Sequence, residues 1–171
     1  MQVSLISKFA AAALLLGMAA PVALTAQASD KILKPADTEK LIPASVYYDG
    51  QSAPAQLRNS GGVRFADGHY VLATLVDTSG YSTGVAAKYQ AYFVVEEPIK
   101  IGGQSLAAGV YGAGFIAGNE FVVTDIGGHD VLTVSSSSDS AMARPRPLQV
   151  IADPAGGFRL YAGRSYVTFS K

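Results

Sequence analysis

Residues 88–135 read KYQAYFVVEEPIKIGGQSLAAGVYGAGFIAGNEFVVTDIGGHDVLTVS. Short apolar runs with alternating side chains are separated by glycine pairs and by Gly118-Asn119. Strand side chains point to opposite faces in turn, so this alternation indicates β-strands. Glycine reaches positive φ without steric cost, so Gly102-Gly103 and Gly127-Gly128 indicate tight turns. The stretch therefore predicts an antiparallel β-sheet.

The same pattern continues on both sides of this stretch. The longest apolar run of the first half, residues 69–78, is apolar on both faces, which predicts a strand in the centre of the core. Further strands are indicated after residue 147, with turns at residues 153–157 and at Gly163. About ten strands in uninterrupted meander order predict an all-β fold, either an antiparallel barrel or a barrel-like sandwich.

Several segments carry specific local predictions. Residues 55–58 are expected to form a short strand and residues 59–62 a turn, because Asn-Ser-Gly-Gly is a typical turn composition. Residues 85–92 are compatible with a short helix, but their aromatic end favours a strand. The serine-rich run 135–143 offers little to bury and predicts a mobile loop. Arg144-Pro145-Arg146-Pro147 predicts a stiff, extended segment because proline fixes φ.

One local motif lies inside the central stretch. The residues Gly103-Gln104-Ser105-Leu106-Ala107-Ala108-Gly109-Val110-Tyr111 resemble the G-x-x-L-x-A-G-x-Y hairpin of small secreted bacterial β-domains of unknown function. The match lacks the proline often found before the Ala-Gly pair, and the chain has no second motif of those families. The resemblance implies a secreted β-domain and carries no activity with it.

The first 28 residues have the pattern of a secretory signal peptide. Lys8 precedes an apolar run rich in alanine and leucine, and Ala26-Gln27-Ala28 fits the small-x-small cleavage rule. An uncleaved membrane anchor is the alternative, but the run is short for a span. We expect a signal peptide at 1–28, an N-terminal arm at 29–43 and a single β-domain at 44–171. Within the arm, the polar residues 29–37 are expected to be loose. Such a protein would be periplasmic or extracellular, with no integral membrane span after cleavage.

Composition limits the possible chemistry. The chain has 13 basic and 13 acidic side chains, two histidines and no cysteine. A near-neutral chain lacks the basic footprint that nucleic acids require, so we expect no nucleic-acid partner. The lack of cysteine excludes disulfides, thiolate metal sites and cysteine nucleophiles. We therefore expect no metal site and no cofactor.

The histidines are the side chains that titrate nearest to neutral pH. His69 follows the turn Asp67-Gly68, and His129-Asp130 follows Gly127-Gly128. His129 could form a metal or acid–base site with Asp125. The simpler interpretation is that both histidines are turn residues that face water. Catalytic sites need three or more converging groups, so we favour the simpler interpretation and predict no catalytic residue.

Arg144 and Arg146 are the charged pair of most interest. Prolines hold them in extended backbone, and their spacing of two places both on one side. A guanidinium binds carboxylate or phosphate through two parallel hydrogen bonds, so the pair is a candidate anion site. The alternative is two solvent-exposed arginines, which are common and contribute little.

Tyrosines and glycines supply the remaining candidates. Nine tyrosines provide amphipathic aromatic surface, and a cluster at a barrel mouth would suit a sugar or an apolar ligand. Gly112-Ala113-Gly114 interrupts a strand. It allows sheet curvature, which we favour, or the close approach of another backbone or a ligand. The candidate ligand-binding residues are Arg144, Arg146, His129, Asp130 and Tyr111.

The sequence favours a non-catalytic binding or envelope-associated module with a small-molecule or glycan ligand. Two other classes stay open: a hydrolase of cell-wall or sugar substrates, and a structural subunit that forms oligomers. An open, lined cavity would favour ligand binding, and a polar cleft with carboxylates and histidine would favour the enzyme. A packed interior with an exposed apolar edge would favour assembly.

Overall fold

The computed structural model describes residues 28–171, so the predicted signal peptide lies outside the described residues except for Ala28. Two short helices, α1 (Pro35–Thr38) and α2 (Thr83–Lys88), accompany the strands. The strands are β1 (Lys31–Leu33), β2 (Ser45–Tyr48), β3 (Gln51–Arg64), β4 (Tyr70–Val76), β5 (Ala91–Val95), β6 (Ile99–Ile101), β7 (Gln104–Leu106), β8 (Gly109–Ile116), β9 (Glu120–Thr124), β10 (Asp130–Ser135), β11 (Ser137–Ser138), β12 (Arg146–Ala152), β13 (Phe158–Gly163) and β14 (Ser165–Ser170). Between residues 28 and 171, no helix has the length and apolar character needed to cross a bilayer.

The strands form two antiparallel sheets. The first has the order β1-β3-β4-β5-β8-β9-β10, with β2 also paired to β3. The second has the order β12-β13-β14-β6-β7, with β11 also paired to β14. The predicted all-β, antiparallel class is confirmed, but the barrel is wrong: across the described residues the sheets form no closed barrel and are sandwich-like.

The predicted meander order is also wrong, because the chain changes sheet after β5. It forms β6 and β7 in the second sheet and returns to the first at β8. The segment Glu96-Glu97-Pro98 explains the change. The Glu96 backbone N–H and carboxylate both bond to the Tyr70 backbone, at 3.0 and 2.9 Å, which closes the β4–β5 ladder. Pro98 has no donor with which to extend that ladder.

The main core lies between the two sheets. β4 pairs with β3 on one side and β5 on the other, as expected for a central strand. Val71, Phe93 and Val95 from the first sheet are 1% exposed, as is Ile101 from the second. Burial of each such side chain contributes about 1.5 to 3 kcal/mol, so this layer is the main source of stability.

The outer face of the first sheet is covered in part by α2, where the sequence predicts a strand. The Ser82 side chain accepts a hydrogen bond from the Val85 backbone N–H at 3.3 Å and caps this helix. The strand β5 begins only at Ala91. The strand prediction is wrong for residues 85–88, which belong to α2, and right for Ala91 and Tyr92. In α2 a serine cap outweighs the strand preference of the later aromatics.

The N-terminal segment, residues 29–43, is packed against the first sheet and is not a loose arm. Its strand β1 pairs with β3, and Leu33 and Ile42 are about 95% buried against Leu72. The Thr38 hydroxyl lies 2.6 Å from the Ser60 hydroxyl in a buried hydrogen bond. These contacts anchor both ends of the segment.

The turn predicted at residues 59–62 is a bulge inside a single long strand. β3 runs through the whole stretch, and its register with β4 shifts between Gln56 and Ser60. The Ser60 hydroxyl donates to the Leu57 carbonyl at 2.5 Å, a local bond that accompanies the bulge. The glycines after it continue to pair with Ala73 and Leu72 of β4.

The serine-rich run also has backbone partners. Ser137 and Ser138 pair with Tyr166 and Ser165 of β14. On either side, the Ser136 N–H bonds to the Asn119 carbonyl at 2.7 Å and the Asp139 N–H to the Arg164 carbonyl at 2.9 Å. Residues 136–139 therefore pair with neighbouring backbone, which the composition does not predict, and the mobility of the run stays a prediction.

Candidate functional site

A groove of about 360 Å³ lies between the N-terminal segment and β12, and we call it the Arg146 groove. The N-terminal segment lines it with residues 32–35, and β12 lines it with Arg146 and residues 148–151. Ser60 of β3 completes the lining. β1 ends the strand order of the first sheet and β12 that of the second, so the groove lies where the two sheets open.

The lining of the Arg146 groove is mainly apolar. Leu148 and Val150 are buried, and Ile32 and Ile151 are half-buried. Gly61 of β3 allows the close approach of β12, because a Cβ there would lie 3.2 Å from the Val150 backbone nitrogen. The groove therefore has a packed apolar base that strand alternation and one glycine produce.

Two cationic side chains stand at this groove, one on each side. Arg146 and Lys34 are both exposed, and neither side chain forms an ion pair or hydrogen bond with another residue among residues 28–171. The Lys34 backbone N–H, by contrast, bonds to the Asp37 carboxylate at 3.2 Å. An arginine fork and a lysine ammonium beside an apolar groove can bind a carboxylate or phosphate.

The structure separates the predicted arginine pair. Arg146 is the first residue of β12 and pairs in register with Gly163, whereas Arg144 lies on a bend before the strand. Arg144 is exposed and does not line the Arg146 groove. Of the two, Arg146 therefore remains the candidate for a ligand in this groove.

His129 lies in the β9–β10 turn and Asp130 is the first residue of β10; neither lines the Arg146 groove. His129 Nδ1 lies 3.1 Å from the Asp125 carboxylate, as the sequence suggested, but its side chain is 82% exposed. The His129 backbone N–H lowers the pKa of Asp125, with further help from the His129 ring and the Gly127 N–H. Asp130 forms an ion pair with Lys88 at 2.7 Å. No third catalytic group joins His129 and Asp125 among the described hydrogen bonds and ion pairs.

Tyr111 has a structural position. It is 8% exposed, and its hydroxyl donates to the Ala107 carbonyl at 3.0 Å. Its ring covers Gly109 so closely that a Cβ there would lie 2.8 Å from the ring. The motif is also not a hairpin, because β7 pairs with β6 and β8 with β5. Tyr111 instead fixes the corner where the chain changes sheet.

Three of the nine tyrosines form a cluster, and its rings are packed against one another. Tyr48 and Tyr89 stack with ring centroids 3.7 Å apart, and the Tyr81 hydroxyl donates to the Tyr48 carbonyl at 3.0 Å. The Tyr48 hydroxyl lies 2.7 Å from the Thr124 hydroxyl. Burial raises the pKa of Tyr89, whose hydroxyl has no hydrogen-bond partner among the described residues. These rings form a second small core on the outer face of the first sheet.

A cluster that the sequence does not reveal lies around His69. Ligand atoms of Asp67, His69 and Glu97 lie within 4.8 Å of one another. The Lys171 ammonium contacts both carboxylates and lowers the pKa of Asp67 well below its usual value. Lys171 is 104 positions from Asp67, so no local pattern brings them together. The Lys171 ammonium thus supplies a positive charge to both carboxylates of the cluster. The expectation of no metal site stays a prediction.

Lys34 and Ile32 are the groove residues that sequence reasoning misses. Both belong to the segment expected to be a loose arm, so no binding role is assigned to them. The signal that could have placed them is the adjacent apolar pair Ile32-Leu33, which has a lysine on either side.

Comparison with known proteins does not extend this picture. A scan against protein-family models finds no match, and searches of curated proteins and of solved structures find no match either. The geometry of the chain itself is therefore what bears on its function.

Proposed function

We propose that this protein is an exported, non-catalytic binding module that takes a small molecule in the Arg146 groove. The ligand has a carboxylate or phosphate group and an apolar body. One observation carries the proposal: the Arg146 guanidinium stands without a protein partner, among the described residues, at an apolar groove of about 360 Å³.

The chemistry of the groove supports an anion with an apolar part. Ligand pockets are concave and mainly apolar, with a few polar groups that fix orientation. Ile32, Leu148 and Ile151 would remove apolar ligand surface from water, at about 25 cal/mol per Å² buried. Arg146 and Lys34 would hold the anionic group, and the arginine fork favours planar carboxylate or tetrahedral phosphate geometry.

The proposal that the protein is exported rests on its first 28 residues. Lys8, the apolar run and Ala26-Gln27-Ala28 support a cleaved signal peptide, and with it a periplasmic or extracellular location. The ligands available to the Arg146 groove would then be metabolites or envelope components outside the cytoplasm.

Calorimetric titration with 4-phenylbutyrate and with phenyl phosphate tests the binding proposal. We expect saturable binding of at least one probe, and Arg146→Ala should weaken it about tenfold, as for loss of one charged hydrogen-bonded contact. Arg144→Ala is the matched control, because it removes an exposed arginine two positions away that does not line the groove.

Two further measurements sharpen this test. Binding should weaken as salt is added, since the charges are exposed, and 4-phenylbutanol should bind less tightly than 4-phenylbutyrate. Both arginine variants should keep the thermal stability of the unmodified protein. Equal binding by Arg146→Ala and Arg144→Ala, or no binding of either probe, would show that the groove is not an anion site.

A further inference from the structure

A second concavity lies on the outer face of the first sheet, away from the main core. Its apolar part, about 260 Å³, is lined by residues 41–43 of the N-terminal segment and by β4, β5 and β8. Leu41 is 45% exposed and Val110 is 40% exposed, so these two apolar side chains of the lining are open to solvent. The hydroxyls of Tyr70 and Tyr92 have no hydrogen-bond partner among residues 28–171. This concavity, which we call the outer groove, thus has apolar walls and two free phenol groups.

The outer groove continues into a cationic part. A cavity of about 290 Å³ shares Leu41 and Tyr70 with it and is lined by Lys31, Lys40 and Arg64. One carboxylate, Asp37, lies among these three cations. The outer groove therefore adjoins a positively charged cavity at Leu41 and Tyr70, so apolar and cationic linings lie side by side.

The cations are only partly neutralised. Lys31 lies directly opposite Arg64 in the β1–β3 register, an arrangement of like charges that destabilises a sheet. Asp37 pairs with Lys31 at 3.2 Å, and the Lys34 backbone N–H and Lys31 lower the pKa of Asp37. Lys40 and Arg64 have no ion pair or hydrogen bond from their side chains within the described part of the chain. The excess of positive charge is complementary to an anion.

We propose that the outer groove binds a single-chain anionic amphiphile. The acidic head lies against Lys40 and Arg64, and the chain lies along Leu41, Tyr70 and Val110. Alkyl chains gain about 0.8 kcal/mol for each buried CH₂, so the apolar end contributes in proportion to chain length. No charged residue is common to the outer groove and the Arg146 groove, although Leu33 lines both the cationic part and the Arg146 groove.

A dissolved amphiphile fits better than a membrane surface. The apolar side chains line a concavity that one chain can enter, and they do not project from a flat face. Glu96 also lines the apolar end, where one of its carboxylate oxygens accepts a hydrogen bond from the Tyr70 N–H at 2.9 Å. Contact with a membrane is the alternative that the experiment must separate.

Calorimetric titration with dodecanoate, below its micelle-forming concentration, tests the proposal. We expect saturable binding that weakens about tenfold in the double variant Lys40→Gln/Arg64→Gln. Dodecanol, which has the same chain without the charge, should bind more weakly and equally to both proteins. Lys100→Gln, at an exposed lysine of β6 in the second sheet, is the matched control and should leave binding unchanged. Val110→Ser tests the apolar end separately and should weaken dodecanoate and dodecanol alike.

Other outcomes would overturn the proposal. No saturable binding of dissolved dodecanoate would do so, as would a double variant that binds like Lys100→Gln. Binding to phosphatidylglycerol vesicles without binding of dissolved dodecanoate would replace the proposal with membrane contact. Loss of dodecanoate binding in Arg146→Ala, with the double variant unaffected, would place the chain in the Arg146 groove. Thermal unfolding of each variant shows that the fold is intact.

Discussion

Gly112 lies in β8 where two tyrosine rings and a threonine hydroxyl meet the backbone. A Cβ at this position would lie 2.6 Å from Tyr48, 2.7 Å from Thr124 and 2.8 Å from Tyr89. Gly114 approaches the Lys88 backbone carbonyl just as closely. In the sequence these glycines interrupt a strand, and that pattern favours curvature of the sheet over close approach of another group. The packing depends on α2 and β2, which fold over β8, and so it is not visible in the local pattern.

Gly112→Ala should destabilise the protein. Inserting a methyl group into this packed site forces the tyrosine rings or the backbone to move, at a cost of about 1 to 3 kcal/mol. Gly84→Ala is the matched control, because nothing lies within 4 Å of a Cβ there and the residue is in α2. In that helix alanine should gain about 0.5 to 1 kcal/mol. Urea unfolding measures both, and equal stability of the two variants would contradict the packing role of Gly112.

Asp153 gives a prediction about pH. Its side chain is 5% exposed, and it accepts hydrogen bonds from Arg159 at 2.9 Å and from the Ala155 N–H at 2.8 Å. The Arg159 guanidinium, with the Ala155 N–H, lowers the pKa of Asp153 below its ordinary value of 3.8. A lowered folded-state pKa gives stability that is present above the unfolded value and lost as pH falls through the folded value.

Asp153→Asn should therefore reduce this pH dependence. The difference in free energy of unfolding between the unmodified protein and the variant should be constant above about pH 5 and shrink below about pH 4. Denaturant unfolding from pH 7 to pH 2 measures it. Arg159→Gln should reduce the same contribution, since it removes the partner. A difference that grows on acidification would contradict the ion pair.

At the scale of elements, local capping and pairing explain what the sequence could and could not predict. Alternation located β4, β5, β6, β8 and β9 well, because strands buried on one or both faces have a clear pattern. α2 was missed because Ser82 caps it in a glycine- and serine-rich stretch that also resembles a loop. β11 was missed because its serines are exposed and contribute only backbone hydrogen bonds, which no side-chain pattern records.

The serine run should show selective amide protection. Hydrogen exchange should be slow at Ser136 and Asp139, whose N–H groups bond to Asn119 and Arg164 carbonyls at 2.7 and 2.9 Å. Ala143 lies on a bend, and its backbone N–H donates to no backbone carbonyl among the described residues. It should therefore exchange quickly. If all backbone amides of residues 135–143 exchange equally fast, the result would instead support the mobile loop that the composition predicts.

At the scale of the whole molecule, the sequence predicted the class of fold but not its division into two sheets. The count of turns favoured one meander. The chain leaves the first sheet at Glu96, whose carboxylate bonds to the Tyr70 N–H 26 positions away, and that distant contact is not visible in the local pattern. In the candidate site, Arg146 could be recognised from the sequence because Pro145 and Pro147 flank it. The apolar residues around Arg146 could not be predicted, because residues 32–35 and 148–151 come together only in the folded chain.

The mature protein should begin at Ser29. Ala26-Gln27-Ala28 follows a bounded apolar run and fits the cleavage rule. Intact-mass analysis of the protein recovered outside the cytoplasm measures its N-terminus. A mass that still includes Met1 would mean that the segment is not removed.

The central claim is that the Arg146 groove is where this protein binds a small anion. NMR titration of the ¹⁵N-labelled protein with 4-phenylbutyrate tests it most directly, because each shifted amide reports its own place in the fold. We expect the largest shifts at Ile32, Lys34, Gln149 and Ile151 and at the Arg146 side-chain N–H, with none at Gly127 or His129. Shifts confined to the β9–β10 turn, or no saturable shift at any amide, would contradict the account.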